Sequence, residues 1–416
     1  MTIVDLLGWL TLLIIILISI FTIIKYPKTQ NFLITALLLR SIFVILDQYY
    51  ITLPDSTADA NRFEYLAFQY SKNHGIDIVS QFFTTDSFFI SKFISIFYTF
   101  FGRSDMMAKM ISVGFGTFSV FLIYHLVLII CNERSAIRAG WFVALFPSFV
   151  LYSALILREV YIIFFLTLAL IGSVNFIEKK KIIDLVKSLS GFLIASLFHG
   201  PMIIGLFIFM IYISFNILKN NNFFIKFKKK NFYLILILPI FIFPLIGFFL
   251  GYYSIPKIGN FQNFGNMQKA ENLKIEEVLI WKIKKATRSS NVINTENIGA
   301  SYPEWTIPKN NIELIYLSPL RIFYFLYSPF PWDIKRPIHL IGLFDASIYI
   351  FLTYYAFCNR KDLFNNPKTL FLILILFVYV FVYSFGVGNF GTGIRHRLKF
   401  IGILLALAAQ KIPRLK

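Results

Sequence analysis

Two acidic residues near the start of the chain have the setting of a general base. The segment 58–70 has helical spacing, with Phe63 and Ala67 on one apolar face. Asp59 lies four residues before Phe63, so its carboxylate follows that face towards a pocket or the membrane side. Partial desolvation there raises a carboxylate pKa towards the range that proton abstraction needs. Asp55 is the second candidate, and the plainer alternatives are a helix-start carboxylate for Asp59 and an ordinary turn for Asp55.

A cluster of cationic residues follows a glycine-rich segment near the end of the chain. Segment 386–393 contains four glycines, and Arg395, His396 and Arg397 come directly after it. Glycine allows the backbone to approach a ligand closely, and arginine binds phosphate oxygens through paired hydrogen bonds. The Gly-Lys-Ser/Thr pattern of a soluble phosphate loop does not occur in this segment. The glycines and the cationic residues after them therefore predict a pyrophosphate-binding cluster that differs from a soluble phosphate loop.

Other charged residues interrupt apolar runs or lie at their ends. Arg158 and Glu159 separate two apolar runs with almost no loop between them, and Arg321 lies within a third run. Arginine at such a position can bind phosphate while the glutamate holds it in place, or the pair can anchor a hairpin tip at the membrane interface. We predict phosphate binding for Arg158, Arg321, Arg395, His396 and Arg397. We predict supporting roles for Glu159, Arg62 and His199. His199 before Gly-Pro is, however, more typical of a helix terminus.

The composition requires a membrane-embedded α-helical protein. Apolar residues make up 57% of the 416 residues, and charged residues make up 15%. Many apolar runs reach about 18–22 residues, which at 1.5 Å per residue crosses a hydrocarbon core of about 30 Å. Because lipid offers no hydrogen bonds to the backbone, such runs must be helices. We predict one all-α integral membrane domain, 1–416, with about eleven spans: 6–24, 32–50, 106–130, 140–157, 160–177, 182–198, one ending near 218, 232–250, 338–357, 369–385 and 398–409.

The basic residues sort the loops into two groups. The net charge of +19 arises from lysine and arginine tracts in the short loops, such as Lys179–Lys181 and Lys226–Lys230. Placing every such loop in the cytoplasm puts the N-terminus outside and all the candidate site residues on the outer face. A long outer loop, 251–336, then separates spans 8 and 9, and short interfacial helices are expected in the outer loops, including 88–101. Because the basic residues flank apolar runs, the charge does not indicate nucleic-acid binding.

These residues resemble part of a known group of enzymes. The run Leu-Leu-Leu-Arg40, followed by Asp59-Ala-Asn-Arg-Phe-Glu-Tyr-Leu-Ala67, is similar to the first outer loop of GT-C type membrane glycosyltransferases, and 144–159 also resembles that group. The resemblance implies a polyprenyl-phosphate or polyprenyl-diphosphate sugar donor and a catalytic carboxylate in that loop. O-antigen polymerases are a related comparison, whose diphosphate-binding arginines would match Arg158, Arg321, Arg395 and Arg397. Unlike the GT-C pattern, the acidic loop here follows the second span and lacks adjacent paired acids.

The sequence therefore favours a glycosyltransferase or glycan polymerase of a bacterial-type inner membrane, with its active face outside the cytoplasm. Its partners would be a polyprenyl-linked sugar donor, a glycan or lipid acceptor and membrane lipid. No nucleotide or redox cofactor is implied, and Asp55 with Asp59 does not by itself establish a divalent metal site. The alternatives are a lipid-linked glycan flippase or other transporter, and a membrane scaffold without enzymatic activity.

Overall fold

The chain is all-α, as its composition predicted. The computed structural model describes residues 3–75, 77, 88–219, 300–336 and 339–413, and these form helices joined by turns and loops. The chain divides into two compact units, Met1–Ser254 and Ile255–Lys416. The eighth predicted span, 232–250, and the first part of the predicted outer loop, 251–299, lie outside the described residues.

The helices of the first unit are α1 (Ile3–Lys25), α2 (Gln30–Tyr49), α3 (Asn61–His74), α4 (Phe89–Phe101), α5 (Asp105–Ile130), α6 (Glu133–Leu145), α7 (Pro147–Ser153), α8 (Arg158–Lys179), α9 (Ile182–Phe198) and α10 (Ile203–Lys219). Those of the second unit are α11 (Asn311–Tyr327), α12 (His339–Cys358), α13 (Arg360–Asn365), α14 (Pro367–Gly386), α15 (Phe390–Leu398) and α16 (Ile401–Ala408).

Six of the described helices are long and apolar enough to cross a membrane: α1, α2, α5, α8, α12 and α14. A seventh crossing is formed if α6 and α7, which meet at a 60° bend, count as one span. The sixth and seventh predicted spans are α9 and α10, of 17 residues each. The last predicted span, 398–409, differs from the prediction, since the chain there forms the end of α15 and the separate eight-residue helix α16.

The bend between α6 and α7 is stabilised by a buried arginine. Pro147 has no N–H, so the carbonyl of Val143 cannot accept the usual helical hydrogen bond at this point. The guanidinium of Arg40, on α2, lies fully buried beside the break. It donates to the carbonyls of Ala144 at 3.2 Å and Val143 at 3.4 Å. Arg40 therefore supplies hydrogen bonds that the helix loses at the proline.

The first unit has two chemically different ends. At one end, Lys28 after α1 forms an ion pair of 2.5 Å with Glu133 after α5, among the short basic loops. At the other end, Asp47 in the last turn of α2 forms an ion pair of 2.9 Å with Lys109 in the first turns of α5. We call the second of these the acidic end, because the predicted loop carboxylates Asp55 and Asp59 follow α2 there.

The core of the first unit lies around α5 and α8. Of the most apolar 18-residue window of each helix, 72% is buried in α8 and 56% in α5, but only 17% in α1. The side chains of Leu13, Leu17 and Phe21 on α1 are more than half exposed. A run of exposed apolar side chains this long is stable only against lipid, so α1 lies at the periphery with one side facing the bilayer.

The bend gives a direct test of the role of Arg40. Arg40→Met should lower the thermal unfolding midpoint in detergent, because the carbonyl of Ala144 then stays buried without its donor, at a cost of about 1–3 kcal/mol. Arg134→Met is the matched control, since Arg134 is exposed at the start of α6. Equal midpoints for the two variants would show that Arg40 does not hold the bend.

Candidate functional site

Several chain segments converge at the acidic end of the first unit. The hydroxyl groups of Ser112 on α5 and Tyr161 on α8 lie 3.0 Å apart. The ring of Tyr161, in the first turn of α8, stacks on that of Phe198, the last residue of α9, with centroids 5.0 Å apart. Phe198 in turn contacts Phe89, the first residue of α4, at 4.9 Å. The start of α8, the end of α9 and the start of α4 therefore lie together.

The loop with the two candidate carboxylates joins this end through α3. The hydroxyl of Ser91 on α4 donates to the carbonyl of Phe63 at 2.8 Å. The guanidinium of Arg62, an exposed residue, lies over the ring of Phe88 at 5.0 Å. The acidic end of the first unit thus contains predicted site residues from three separate segments, among them Asp59, Arg158 and His199.

Asp47 fixes the loop that carries Asp55 and Asp59. Its Oδ1 accepts a hydrogen bond from the backbone N–H of Leu53 at 2.9 Å, and its Oδ2 accepts one from the hydroxyl of Ser56 at 2.9 Å. Asp55 has a φ of +65° in the left-handed region, so this turn is tightly constrained. Its carboxylate and that of Asp59 are partly exposed, as groups that contact a substrate must be.

The helix after this loop begins later than predicted. Residues Ser56–Ala60 form a wide turn with a non-helical Ala58, and the regular helix starts at Asn61. The apolar face is present, because Phe63 and Ala67 are buried. Asp59 lies in the turn before that face instead of in the first turn of α3. Its position is therefore set by the loop and by Asp47.

Lys109 forms the centre of a buried ion cluster below the loop. Its ammonium group contacts the carboxylates of Asp47 at 2.9 Å and Asp105 at 2.6 Å, and it donates to the amide oxygen of Gln48 at 2.9 Å. Three acceptors satisfy the three N–H bonds of a lysine. The charged groups of this cluster hold one another, and they connect α2 to α5 under the candidate carboxylates.

Glu64 forms a second ion pair that the sequence did not reveal. It is buried, and its two oxygens accept hydrogen bonds from Nε and Nη2 of Arg103 at 2.9 and 2.7 Å. The hydroxyl of Tyr98 donates to the same carboxylate at 3.0 Å. The hydrogen bonds with Glu64 raise the pKa of Arg103, and burial together with the Glu64 charge raises the pKa of Tyr98. The arginine therefore stays charged, the phenol stays neutral, and α3 is attached to the loop before α5.

The pair Arg158 and Glu159 opens helix α8. Glu159 is fully buried, and its Oε1 lies 3.9 Å from Nε of Arg158, which is partly exposed. This separation is longer than a hydrogen bond, so the role of Glu159 in holding Arg158 stays a prediction. His199 is also partly exposed, directly after α9. Both side chains therefore reach the surface at the acidic end.

In the second unit, Arg321 is fully buried and binds the main chain. Its Nε donates to the carbonyl of Ser384 at 3.1 Å, its Nη1 to Thr306 at 3.1 Å and its Nη2 to Val387 at 2.6 Å. Ser384 and Val387 lie at the end of α14, where helix carbonyls lack partners. All three nitrogens of Arg321 are engaged, which favours a structural role over the predicted phosphate contact.

Arg397 is likewise fully buried. Its Nε donates to Oδ2 of Asp345 at 2.9 Å, and its Nη1 donates to the carbonyls of Leu326 at 3.0 Å and Ser328 at 2.6 Å. Its guanidinium lies over the ring of Tyr349 at 4.8 Å. Arg397 thus connects α15 to α12 and to the end of α11, again favouring a structural role. Asp345 is the single acidic residue in its apolar run, and that signal could have identified it from the sequence.

Arg395 and His396 differ from Arg397 in being partly exposed. Nδ1 of His396 lies 2.6 Å from the ammonium group of the buried Lys399, whose Nζ lies 5.1 Å from the centroid of the Tyr383 ring. Arg395 is therefore the partly exposed arginine of this cluster, and the imidazole of His396 lies against Lys399.

The glycine-rich segment has a structural use. The backbone N–H of Tyr302 donates to the carbonyl of Gly388 at 2.8 Å, and that of Phe390 donates to Ala300 at 3.0 Å. A Cβ atom at Gly393 would lie 3.1 Å from the hydroxyl of Tyr302. The close approach that we predicted does occur, but it is to the segment 300–302 of the chain itself.

Among the described residues, no group of three or more His, Cys, Asp or Glu side chains is arranged to hold a metal ion. No known protein-family model matches the sequence. No curated protein matches it with significance.

The two arginines of α15 give a matched prediction. Arg397→Gln should destabilise the protein by about 3–5 kcal/mol, because it leaves Asp345 buried without its charged partner. Arg395→Gln removes an equal charge from a partly exposed position two residues away and should cost less than about 1 kcal/mol. Thermal unfolding in detergent measures both, and similar losses for the two variants would contradict the assignment.

Proposed function

We propose that this chain is a membrane glycosyltransferase that takes a sugar or oligosaccharide from a polyprenyl-phosphate or polyprenyl-diphosphate donor. The observation that carries the proposal is the acidic end of the first unit. There Asp55 and Asp59 are partly exposed on a loop fixed by Asp47, and Arg158 and His199 lie at the same end. A carboxylate to accept a proton and a cation to bind phosphate are the two groups that this transfer needs.

The reaction would use these groups as follows. A hydroxyl oxygen of the acceptor forms a bond to the anomeric carbon of the donor sugar, and the bond from that carbon to the phosphate oxygen breaks. The electron pair of that bond goes to the phosphate, whose charge Arg158 stabilises. Asp59, or Asp55, takes the hydroxyl proton as general base. Glu159 holds Arg158, and Asp47 holds the carboxylate loop.

Within the second unit, Arg395 and His396 are the predicted phosphate ligands that are partly exposed, and the proposal keeps phosphate binding for these two. Arg321 and Arg397 then act as positioning residues. The guanidinium of Arg321 binds carbonyls at the end of α14. That of Arg397, on α15, binds carbonyls at the end of α11. Exposure thus separates the three predicted arginines of the second unit, with Arg395 partly exposed and Arg321 and Arg397 buried.

We further propose that the chain has about eleven spans and lies in a bacterial-type inner membrane with the acidic end outside the cytoplasm. The ion pair of Lys28 with Glu133 supports this topology, since it places the loops after α1 and after α5 at the same end. The positive-inside rule assigns that basic end to the cytoplasm.

A transporter of lipid-linked glycans is the alternative. The observation that favours it is the buried cluster of Asp47, Asp105 and Lys109, since ionisable groups inside membrane helices often mark a transport path. The same cluster supports the carboxylate loop, which is a sufficient reason for its presence in a transferase.

A transfer assay in proteoliposomes tests the proposal. The purified chain is given a panel of radiolabelled polyprenyl-phosphate and polyprenyl-diphosphate sugars with membrane extract as acceptor. The double variant Asp55→Asn with Asp59→Asn should lose about 10²–10⁴-fold in rate, the usual contribution of general base catalysis. The matched control is Glu178→Gln, an exposed carboxylate at the basic end.

Undiminished transfer by the folded double variant would remove the proposed base. Movement of labelled lipid across the bilayer without any sugar transfer would favour the transporter instead. Thermal unfolding of each variant separates loss of chemistry from loss of fold.

A further inference from the structure

An apolar groove of about 520 Å³ lies in the first unit, among helices α1, α4, α5 and α8. Its walls include Leu10 and Ile14 of α1, Phe101 of α4, Phe115 of α5 and Phe164 of α8. The side chains of Ile14 and Phe101 are 56% and 61% exposed. The groove therefore opens sideways, on the side of the unit where α1 faces lipid.

The lining of the groove accepts hydrocarbon. Thr11 carries the one hydroxyl or other polar side-chain group in the lining, and this hydroxyl donates to the carbonyl of Leu7 at 2.8 Å. A water molecule is stable in a cavity only where it finds two to four polar partners. The groove lacks them, and its volume falls within the range of about 300–1,000 Å³ that is typical of ligand sites. A chain of carbon atoms is the occupant that its chemistry allows.

The dimensions of the groove match one lipid chain in one leaflet. Its wall on α5 extends from Met107 to Phe118, about 16 Å at 1.5 Å per residue. Half of a hydrocarbon core of about 30 Å has nearly that depth. Midway along the groove, Gly114 lets Ile15 of α1 pack closely against α5, because a Cβ there would lie 3.3 Å from the side chain of Ile15. The groove thus extends from the acidic end of the unit to about the middle of the membrane.

A cation lies where the groove meets the acidic end. Phe101 and Met107 both line the groove, and the loop between them carries Arg103. The side chain of Arg103 is 46% exposed, although its Nε and Nη2 are paired with Glu64. A lipid with a phosphate head fits this arrangement with a hydrocarbon chain in the groove and its phosphate near this loop.

We propose that the groove seats the isoprenoid chain of a prenyl phosphate, with the phosphate at the acidic end, where Arg158 and the loop 102–104 both lie. The inference rests on the proposed function, because it assigns a position to the lipid part of the sugar donor. It places the donor phosphate at the same end of the first unit as the carboxylate loop.

Photolabelling tests the groove without any need for sugar transfer. The full chain in nanodiscs is incubated with a diazirine-bearing farnesyl phosphate, irradiated and mapped by mass spectrometry. We expect labels on α1 and α5 along the groove. Ile14→Trp should fill the groove and lower labelling about tenfold, which corresponds to about 1.4 kcal/mol of binding free energy. Ile18→Trp is the matched control, since Ile18 is 47% exposed on the same helix and does not line the groove.

Three results would overturn the inference: equal labelling of the two tryptophan variants, labels that lie away from α1 and α5, or displacement of the probe by phosphatidylglycerol as effectively as by unlabelled farnesyl phosphate. The last result would assign the groove to bulk phospholipid. The transfer assay distinguishes the two proposals. Sugar transfer by a chain that is not labelled in the groove would contradict the groove proposal alone. Labelling of the groove in a chain that transfers no sugar would contradict the transferase proposal alone.

Discussion

Inside a membrane every backbone polar group needs a partner from the protein, and this chain meets that requirement with buried arginines. The three largest fully buried side chains of the described residues are Arg40, Arg321 and Arg397. Each one binds main-chain carbonyls at a helix break or a helix end. Interruptions of the helices are thus stable where a guanidinium replaces the lost N–H donors.

Burial divides the charged residues of this membrane protein into two groups. Arg397 and Lys109 are buried and paired with carboxylates, so they hold helices together. Arg158 and Arg395 are partly exposed and remain accessible to a ligand. A buried ion pair costs free energy in desolvation, and losing one partner costs more than the pair contributes. Charge in a membrane protein therefore indicates function only after the buried and exposed groups have been separated.

The sequence predicted the helical class and the positions of the long apolar helices, because length and hydropathy decide these directly. The alternation of loops also predicted one face for Asp59, Arg158 and His199, and a shared site for these residues stays a prediction. The sequence could not separate Arg395 from Arg397, since exposure depends on which face of α15 packs against α12. Nor could it pair Glu64 with Arg103, 39 positions apart, because that contact depends on how α3 lies against α4. The irregular turn at Ala58 likewise depends on Asp47, a residue of the preceding helix.

The nine residues of α15 place a buried structural anchor and a partly exposed arginine two positions apart. Successive side chains on an α-helix are rotated by about 100°, so Arg395 and Arg397 point to nearly opposite sides. A deletion of one residue between Asn389 and Arg395 would turn both side chains by that angle, carrying the accessible cation towards the core and the anchor away from Asp345. The helix can therefore tolerate changes of residue type at its exposed positions far better than any change in its length.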